Sequence, residues 1–80
     1  MTTAPGWARD GDAIQRTWRF DDFKAAMIFV NGVAALAEKA NHHPDITIHY
    51  NEVTLRLWSH DTGGLSVRDF DLARRISSTL

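Results

Sequence analysis

In the segment Glu38-Lys39-Ala40-Asn41-His42-His43-Pro44, a helix has to end and an extended segment has to begin. Asn41 can adopt the left-handed backbone conformation that commonly closes a helix at its C-terminus. Pro44 disfavours helical angles at His43, because the proline ring clashes with the backbone of the residue before it. The sequence therefore predicts that a helix stops near Asn41 and that two adjacent histidines occupy the turn after it.

The residues before this turn have the periodicity of an amphipathic helix. Asp21 and Asp22 can cap its free N–H groups. Apolar side chains then recur four and three residues apart, at Phe23, Met27, Val30, Ala34 and Ala37, and Ala26 and Val33 widen this stripe. We expect this stripe to face the core of the protein. Phe29 and Leu36 lie off the stripe, and we interpret them as a second buried contact, against a partner subunit.

Alternating apolar and polar residues predict four strands around this helix. Asp10-Gly11-Asp12 separates two β-prone runs in the manner of a hairpin turn. Residues 46–50 and 53–58 alternate on either side of a polar turn. Ser66-Val67-Arg68-Asp69 has the form of a capping box at the start of a last helix. The order β-β-α-β-β-α predicts an α+β fold, a four-stranded antiparallel sheet with two helices on one face.

The composition predicts a small cytoplasmic domain that associates with itself. The 80 residues suit one domain, 1–80, in which we expect residues 1–6 to be disordered. With so small a core and no cysteine, a homodimer or homotetramer is the expected source of further stability. Positive and negative charges are mixed along the chain, and the net charge is -1. The sequence therefore has no excess of positive charge of the kind that binds nucleic acid. The longest apolar run, at 25–30, is too short to span a membrane.

Three pieces of the chain that are distant in sequence can converge on one cleft. They are the helix end with His42 and His43, the strand end with His60, and the start of the last helix with Asp69. An imidazole titrates near pH ~6.5, so it can give and take protons at neutral pH. Glu38 lies one helical turn before His42 and can orient its ring.

Two other kinds of site fit less well. The chain has enough imidazole nitrogens for zinc, at His42, His43, His49 and His60. However, adjacent histidines seldom bind one ion together, and the helical histidine spacing of zinc enzymes is missing. We therefore predict no metal and no cofactor. A Ser-His-Asp hydrolase would need a nucleophile elbow, which is absent from the sequence.

The same residues also have purely structural interpretations. The histidines can be polar residues of a turn and of a strand end. Asp69 can be a helix cap, Glu38 a solvated charge, and Tyr50 part of the core or of a cleft wall. Composition and periodicity alone leave these interpretations open.

One set of side chains recurs at fixed spacing from the helix end to the last helix: Glu38-x3-His42-His43-Pro44-x5-Tyr50-x9-His60-x8-Asp69. This pattern resembles the signature of the pterin-4a-carbinolamine dehydratases, also called dimerisation cofactors of a homeodomain transcription factor. The resemblance covers nearly the whole chain from Gly6-Trp7 onward, and the family fold agrees with the order of elements predicted above. Position 41 is Asn where some relatives have Asp. Family members often begin with a further helix before the Gly-Trp pair.

The resemblance implies an enzyme that dehydrates 4a-hydroxytetrahydropterin to quinonoid dihydropterin, the pterin that an aromatic amino acid hydroxylase leaves after turnover. It implies that His42 and His60 are the acid–base pair and that His43 chiefly binds the pterin. The resemblance also implies a set of residues that orient the histidines, bind pterin nitrogens or pack against the pterin ring. They are Glu38, Pro44, Tyr50, Trp58 and Asp69.

The alternative implied by the family is a non-catalytic protein on the same fold. It would act as a transcriptional dimerisation cofactor or as an assembly factor for a carboxylating enzyme. The three intact histidines of the motif favour the enzyme, because a scaffold has no physical need for them. The sequence leaves open which pterin is used and whether a dimer or a tetramer forms.

Overall fold

Four antiparallel strands form one sheet, and two helices pack against one of its faces. The protein is represented by a computed structural model that describes residues 4–59 and 64–80. In chain order the elements are β1 (Ala8–Asp10), β2 (Ala13–Arg19), α1 (Phe23–Ala40), β3 (Asp45–His49), β4 (Glu52–Leu57) and α2 (Val67–Thr79). The predicted α+β class and the order β-β-α-β-β-α are confirmed.

Strand β4 lies in the interior of the sheet, because the strands are arranged in the order β1-β2-β4-β3. On one face of β4, Val53, Leu55 and Leu57 are each 0% exposed and belong to a core that both helices complete. The other face is polar, and there the hydroxyls of Thr17 and Thr54 are 2.8 Å apart in a hydrogen bond between β2 and β4. The sheet therefore has one packed and one solvated face, as the alternation predicts.

The buried face of α1 agrees in part with the predicted stripe, which includes Ala26, Val33 and Ala37 but not Phe29. Its buried residues are Ala26, Phe29, Val33 and Ala37. The Phe29 ring packs 4.8 Å from Trp18 and 5.1 Å from Phe20, measured between ring centroids. Phe23, which the stripe includes, is 49% exposed. The buried face is therefore displaced toward Phe29, because the rings of Trp18 on β2 and of Phe20 just after it pack against Phe29.

The interpretation of Phe29 and Leu36 as a contact with a partner subunit is therefore wrong. Phe29 is buried within the chain itself, and Leu36 is partly buried against the same core. The large apolar side chains left exposed include Ile28 on α1, Ile46 and Ile48 on the edge strand β3, and Tyr50 beyond β3.

Both ends of α1 are closed by the residues that the sequence predicts. The Asp22 side chain accepts a hydrogen bond from the Ala25 backbone N–H at 2.8 Å. Asn41 has φ 52° and ψ 42°, and its N–H reaches the carbonyls of Ala37 and Glu38. The N–H of His42 also bonds to the Ala37 carbonyl, at 3.1 Å. The histidine turn is thus fixed directly to the end of the helix.

Residues 4–6 form a turn rather than the disordered segment predicted for residues 1–6. The Trp7 backbone N–H donates to the Ala4 carbonyl at 3.0 Å, and Ala4 is buried against the core. The Trp7 indole N–H donates to the Ser77 hydroxyl of α2 at 3.0 Å, and its ring meets Trp18 edge to face. These contacts hold the segment in place. Residues 1–3 lie outside the part of the chain that the structure describes.

Neither helix in the described ranges is both long and apolar enough to cross a lipid bilayer.

An ion pair across the polar face of the sheet makes stability depend on acidity. The Arg19 guanidinium beside Glu52 lowers the pKa of that carboxyl, first through their hydrogen bond and then through charge attraction. Because the pKa is lower in the folded than in the unfolded state, the pair stabilises the fold at neutral pH, and this contribution is lost as the pH falls through the lowered pKa.

We therefore expect Glu52→Gln to lose less stability than the parent chain between neutral pH and about pH 3, the range in which carboxyl groups protonate. The difference will be small, because the pair is partly solvated. Urea unfolding at several pH values measures it. Identical pH profiles for the two proteins would contradict the prediction.

Candidate active site

The turn after α1, the end of β4 and the start of α2 meet at a single buried carboxylate. Asp69, in the first turn of α2, is 0% exposed. Its Oδ1 atom lies 2.6 Å from Nε2 of His42, whose side chain keeps only 11% of its exposure. The structure therefore brings together two residues of the predicted site that are 27 positions apart in sequence.

The second oxygen of Asp69 is held by two serines. Its Oδ2 accepts from the Ser66 backbone N–H at 2.8 Å, as a capping box requires, and from the Ser59 hydroxyl at 2.9 Å. The two serine hydroxyls also bond to each other at 2.8 Å. Asp69 is thus both the predicted helix cap and the anchor of a histidine, and the two interpretations hold together.

Glu38 contacts the other histidine of the turn. Its Oε2 lies 2.5 Å from Nε2 of His43. The prediction that Glu38 orients His42 is therefore wrong. The left-handed step at Asn41 turns His42 inward to Asp69 and leaves His43 beside the last turn of α1. Both members of the Glu38–His43 pair are more than half exposed, so the pair directs a ring without adding much to stability.

The two histidines line an open cavity of about 380 Å³. This volume lies in the range of roughly 300–1,000 Å³ that small-molecule sites commonly have. Besides the histidines, the walls include Asp45, Trp58 and Arg68. The Trp58 ring offers a flat apolar surface beside polar groups that can exchange protons or hydrogen-bond a heterocycle.

A second cavity of similar size lies away from the histidines. It measures about 340 Å³ and is formed by the N-terminal turn with Trp7, Ile14 and Phe70. Among the described residues of its wall, Arg9 is the only charged one, and an arginine does not exchange protons near neutral pH. We therefore take the histidine cavity as the candidate active site.

The other predicted site residues fall in different places. Pro44 is half-buried and leads from the histidine turn into β3. Tyr50 lies beyond the far end of β3, with φ 54° and 65% exposure, and does not line the histidine cavity. The alternation that suggested Tyr50 as a wall ends at His49, where the chain turns. His60 lies outside the described residues.

Ser59 and Arg68 belong to the site but were not predicted from the sequence. The sequence does indicate that Ser59 is buried, because it continues the every-second-residue spacing of Val53, Leu55 and Leu57. In the structure Ser59 is 1% exposed. A hydroxyl at a buried position must find a partner. The partner, Asp69, could not be identified without the fold.

The structure gives no support to a metal site in the ranges it describes. No group of three His, Cys, Asp or Glu side chains there is placed to hold an ion. Sites that include His60 fall outside this statement.

We expect Asp69→Asn to destabilise the protein by about 2–4 kcal/mol, because an amide cannot accept all the donors that converge on the buried carboxylate. Asp71→Asn is the matched control on the same helix, since Asp71 is exposed and pairs with Arg74 at the surface. It should change the free energy of unfolding by less than about 0.5 kcal/mol. Chemical denaturation compares the variants, and equal stabilities would contradict the central role of Asp69.

Two solved structures share this fold. A transcriptional coactivator/pterin dehydratase from Brucella melitensis superposes with a TM-score of 0.87 at 34% identity, over 94% of this chain and 82% of the other. A pterin dehydratase-like protein, described as a RuBisCO assembly factor in the alpha-carboxysome, superposes with a TM-score of 0.77 over 91% of this chain and 87% of the other. At 21% identity, the second likeness concerns the fold alone.

Sequence comparison agrees with the structural likeness. The family model described as pterin 4 alpha carbinolamine dehydratase matches residues 1–79. A protein of Thermomicrobium roseum, provisionally named a pterin-4-alpha-carbinolamine dehydratase, is 58% identical over 73 residues, which are 91% of this chain and 78% of the relative. The chain therefore belongs to the pterin 4 alpha carbinolamine dehydratase family.

Proposed function

We propose that this protein catalyses the dehydration of 4a-hydroxytetrahydropterin to quinonoid dihydropterin and water. The observation that carries the proposal is a histidine, His42, that a buried carboxylate holds at the wall of an open cavity beside a second histidine. Family membership supplies the substrate class. The cavity is large enough for one bicyclic ring, and Trp58 gives it a flat wall.

The reaction needs only the movement of two protons. The C4a–O bond breaks, and an acid protonates the departing hydroxide to give water. The N5 lone pair forms the C4a=N5 double bond, and a base removes the N5 proton. One proton enters and one leaves, and no electron is gained or lost overall. Imidazoles on either side of a flat ring can do this work without metal or cofactor.

Each histidine then has its own role in the proposal. His42 and His60 act as the acid–base pair, with His60 assigned from the sequence motif. His43 chiefly holds the pterin, in an orientation that Glu38 sets. The Asp69 carboxylate lies behind His42 and fixes the direction of its ring.

The substrate carries an oxygen at C4a, so an enzyme that oxygenates with a tetrahydropterin has to supply it. We place an aromatic amino acid hydroxylase in that position and propose that both proteins act in the cytoplasm. The product would return to the tetrahydropterin pool by reduction.

A non-catalytic role as an assembly factor or a transcriptional cofactor is the second candidate. Its support is the structural neighbour described as an assembly factor, which shares the fold at 21% identity. The Asp69–His42 pair favours catalysis, because a protein-binding scaffold does not need a buried carboxylate behind a histidine at a cavity wall.

Steady-state kinetics on histidine variants tests the proposal. We expect His42→Ala and His60→Ala to lower kcat, each by about 10²-fold, because each group acts on a proton in the transition state. The double variant should approach the uncatalysed rate. His43→Ala should raise KM by about tenfold and change kcat less, because it loses a contact that substrate and transition state share.

His49→Ala is the matched control, since His49 is an exposed histidine on β3 outside the cavity. It should retain the parent rate constants. A folded His42/His60 double variant that keeps most of the activity would overturn the acid–base assignment. A parent chain without any dehydratase activity would favour the non-catalytic role.

We also propose that the chain forms a homodimer or a homotetramer. The support is its small core together with exposed apolar side chains at Ile28, Ile46 and Ile48, which a monomer would leave in water. Light scattering coupled to size-exclusion chromatography should give a mass of two or four chains at micromolar concentration. A stable monomer under these conditions would refute the proposal.

A further inference from the structure

We propose that Ser59 is a positioning residue that acts through Asp69 and fixes His42 in the tautomer with its proton on Nε2. The ring nitrogen that works on the pterin is then Nδ1. The reaction assigned to Nδ1 depends on the function proposed above, whereas the tautomer itself does not.

Ser59 occupies a position that favours an apolar residue. It follows β4 at the spacing of the buried leucines and is 1% exposed. A hydroxyl in such a place is costly unless it is hydrogen-bonded. Its proton goes to Asp69 Oδ2 at 2.9 Å, and its oxygen is 2.8 Å from the Ser66 hydroxyl, which can therefore donate to it. Within the residues that the structure describes, both serines donate to Asp69, Ser59 through its hydroxyl and Ser66 through its backbone N–H and its hydroxyl.

The donors on Oδ2 decide which oxygen of Asp69 faces the histidine. Oδ2 already receives the Ser66 backbone N–H and the Ser59 hydroxyl. Oδ1 remains for His42, at 2.6 Å from Nε2. An ionised carboxylate can only accept hydrogen bonds, so the proton in this short contact belongs to Nε2. Neutral His42 therefore keeps its lone pair on Nδ1.

The Nδ1 atom of His42 is not fully buried. In the described parts of the chain, no buried side-chain nitrogen or oxygen lacks a hydrogen-bond partner. The bond of the His42 ring runs through Nε2 to Asp69, and Nδ1 makes none there. Nδ1 therefore retains accessible surface, and His42 lines the candidate cavity. We infer that this nitrogen, which the tautomer leaves as a base, is the one available to a bound pterin.

Loss of the Ser59 hydroxyl would weaken this arrangement without removing any group that is proposed to contact the pterin. Asp69 would keep the Ser66 N–H and the Ser66 hydroxyl, which is 3.4 Å from Oδ2, but it would lose the Ser59 donor at 2.9 Å that helps to orient Oδ1 toward His42. The carboxylate could then rotate, and His42 could populate the tautomer with its proton on Nδ1. In that tautomer Nδ1 has no free lone pair and cannot act as a base. The step that uses the His42 lone pair would slow, while binding of the ring by His43 and Trp58 would continue.

The test compares Ser59→Ala, Ser59→Thr and Ser78→Ala in the full chain. Threonine retains the hydroxyl, and Ser78 is an exposed serine of α2. We expect Ser59→Ala to lower kcat by about tenfold with KM within about twofold, the size expected for a lost hydrogen bond to a charged group. Ser59→Thr should recover most of kcat, and Ser78→Ala should match the parent.

Nitrogen-15 NMR of the histidine rings provides a second measurement that needs no substrate. The parent should show His42 with its proton on Nε2, and folded Ser59→Ala should show a larger share of the Nδ1–H tautomer. A parent His42 protonated on Nδ1 would overturn the proposal, even if Ser59→Ala does not fold. Unchanged tautomer and kcat in folded Ser59→Ala would also overturn it, as would a Ser59→Thr variant as impaired as Ser59→Ala.

The two proposals can fail separately. A parent chain that has no dehydratase activity but shows the predicted His42 tautomer, shifted in Ser59→Ala, would refute the proposed function and retain the role of Ser59. A parent chain that is an active dehydratase but carries the His42 proton on Nδ1 would retain the proposed function and refute the role of Ser59.

Discussion

The buried carboxylate of Asp69 is the constraint on which the rest of this structure depends. A charge without solvent must be compensated by hydrogen bonds, or folding becomes costly. Here the compensation comes from three parts of the chain: the start of α2 at Ser66, the end of β4 at Ser59, and the turn after α1 at His42. The same bonds that satisfy the charge therefore bring these parts to one point.

The two histidines of the turn differ because their partners differ. His42 is almost enclosed and bonds to a carboxylate that is fixed on both oxygens. His43 is more than half exposed and bonds to Glu38, which is itself mostly in water. A group that must transfer a proton at a defined place benefits from a fixed direction. A group that holds a ligand can adjust to it, so the proposed division of roles follows the burial of the two rings.

The sequence allowed local features to be predicted and left longer-range ones open. The turn at Asn41 and the cap at Asp22 rest on the chemistry of a few neighbouring residues, and both are confirmed. The face of α1 was predicted in part, because Ala26, Val33 and Ala37 are buried as expected. Helical spacing alone could not show that the rings of Trp18 and Phe20 would pack against Phe29 and bring it into the core. The partner of Glu38 was assigned to the wrong histidine, because a left-handed residue redirects the chain and a count of residues does not include that step.

A simple helix start does not explain why Asp69 is buried. Ser66 could cap α2 with a solvated acidic residue in its first turn, which would suit the helix dipole without the cost of desolvation. Replacement of buried charged groups by apolar ones is often neutral or stabilising, so the burial is poor evidence for a stabilising role. In a chain of 80 residues with a small core, that cost is a large fraction of the total stability. The interaction that remains to account for it is the one with His42, which places an anchored imidazole at the wall of the cavity.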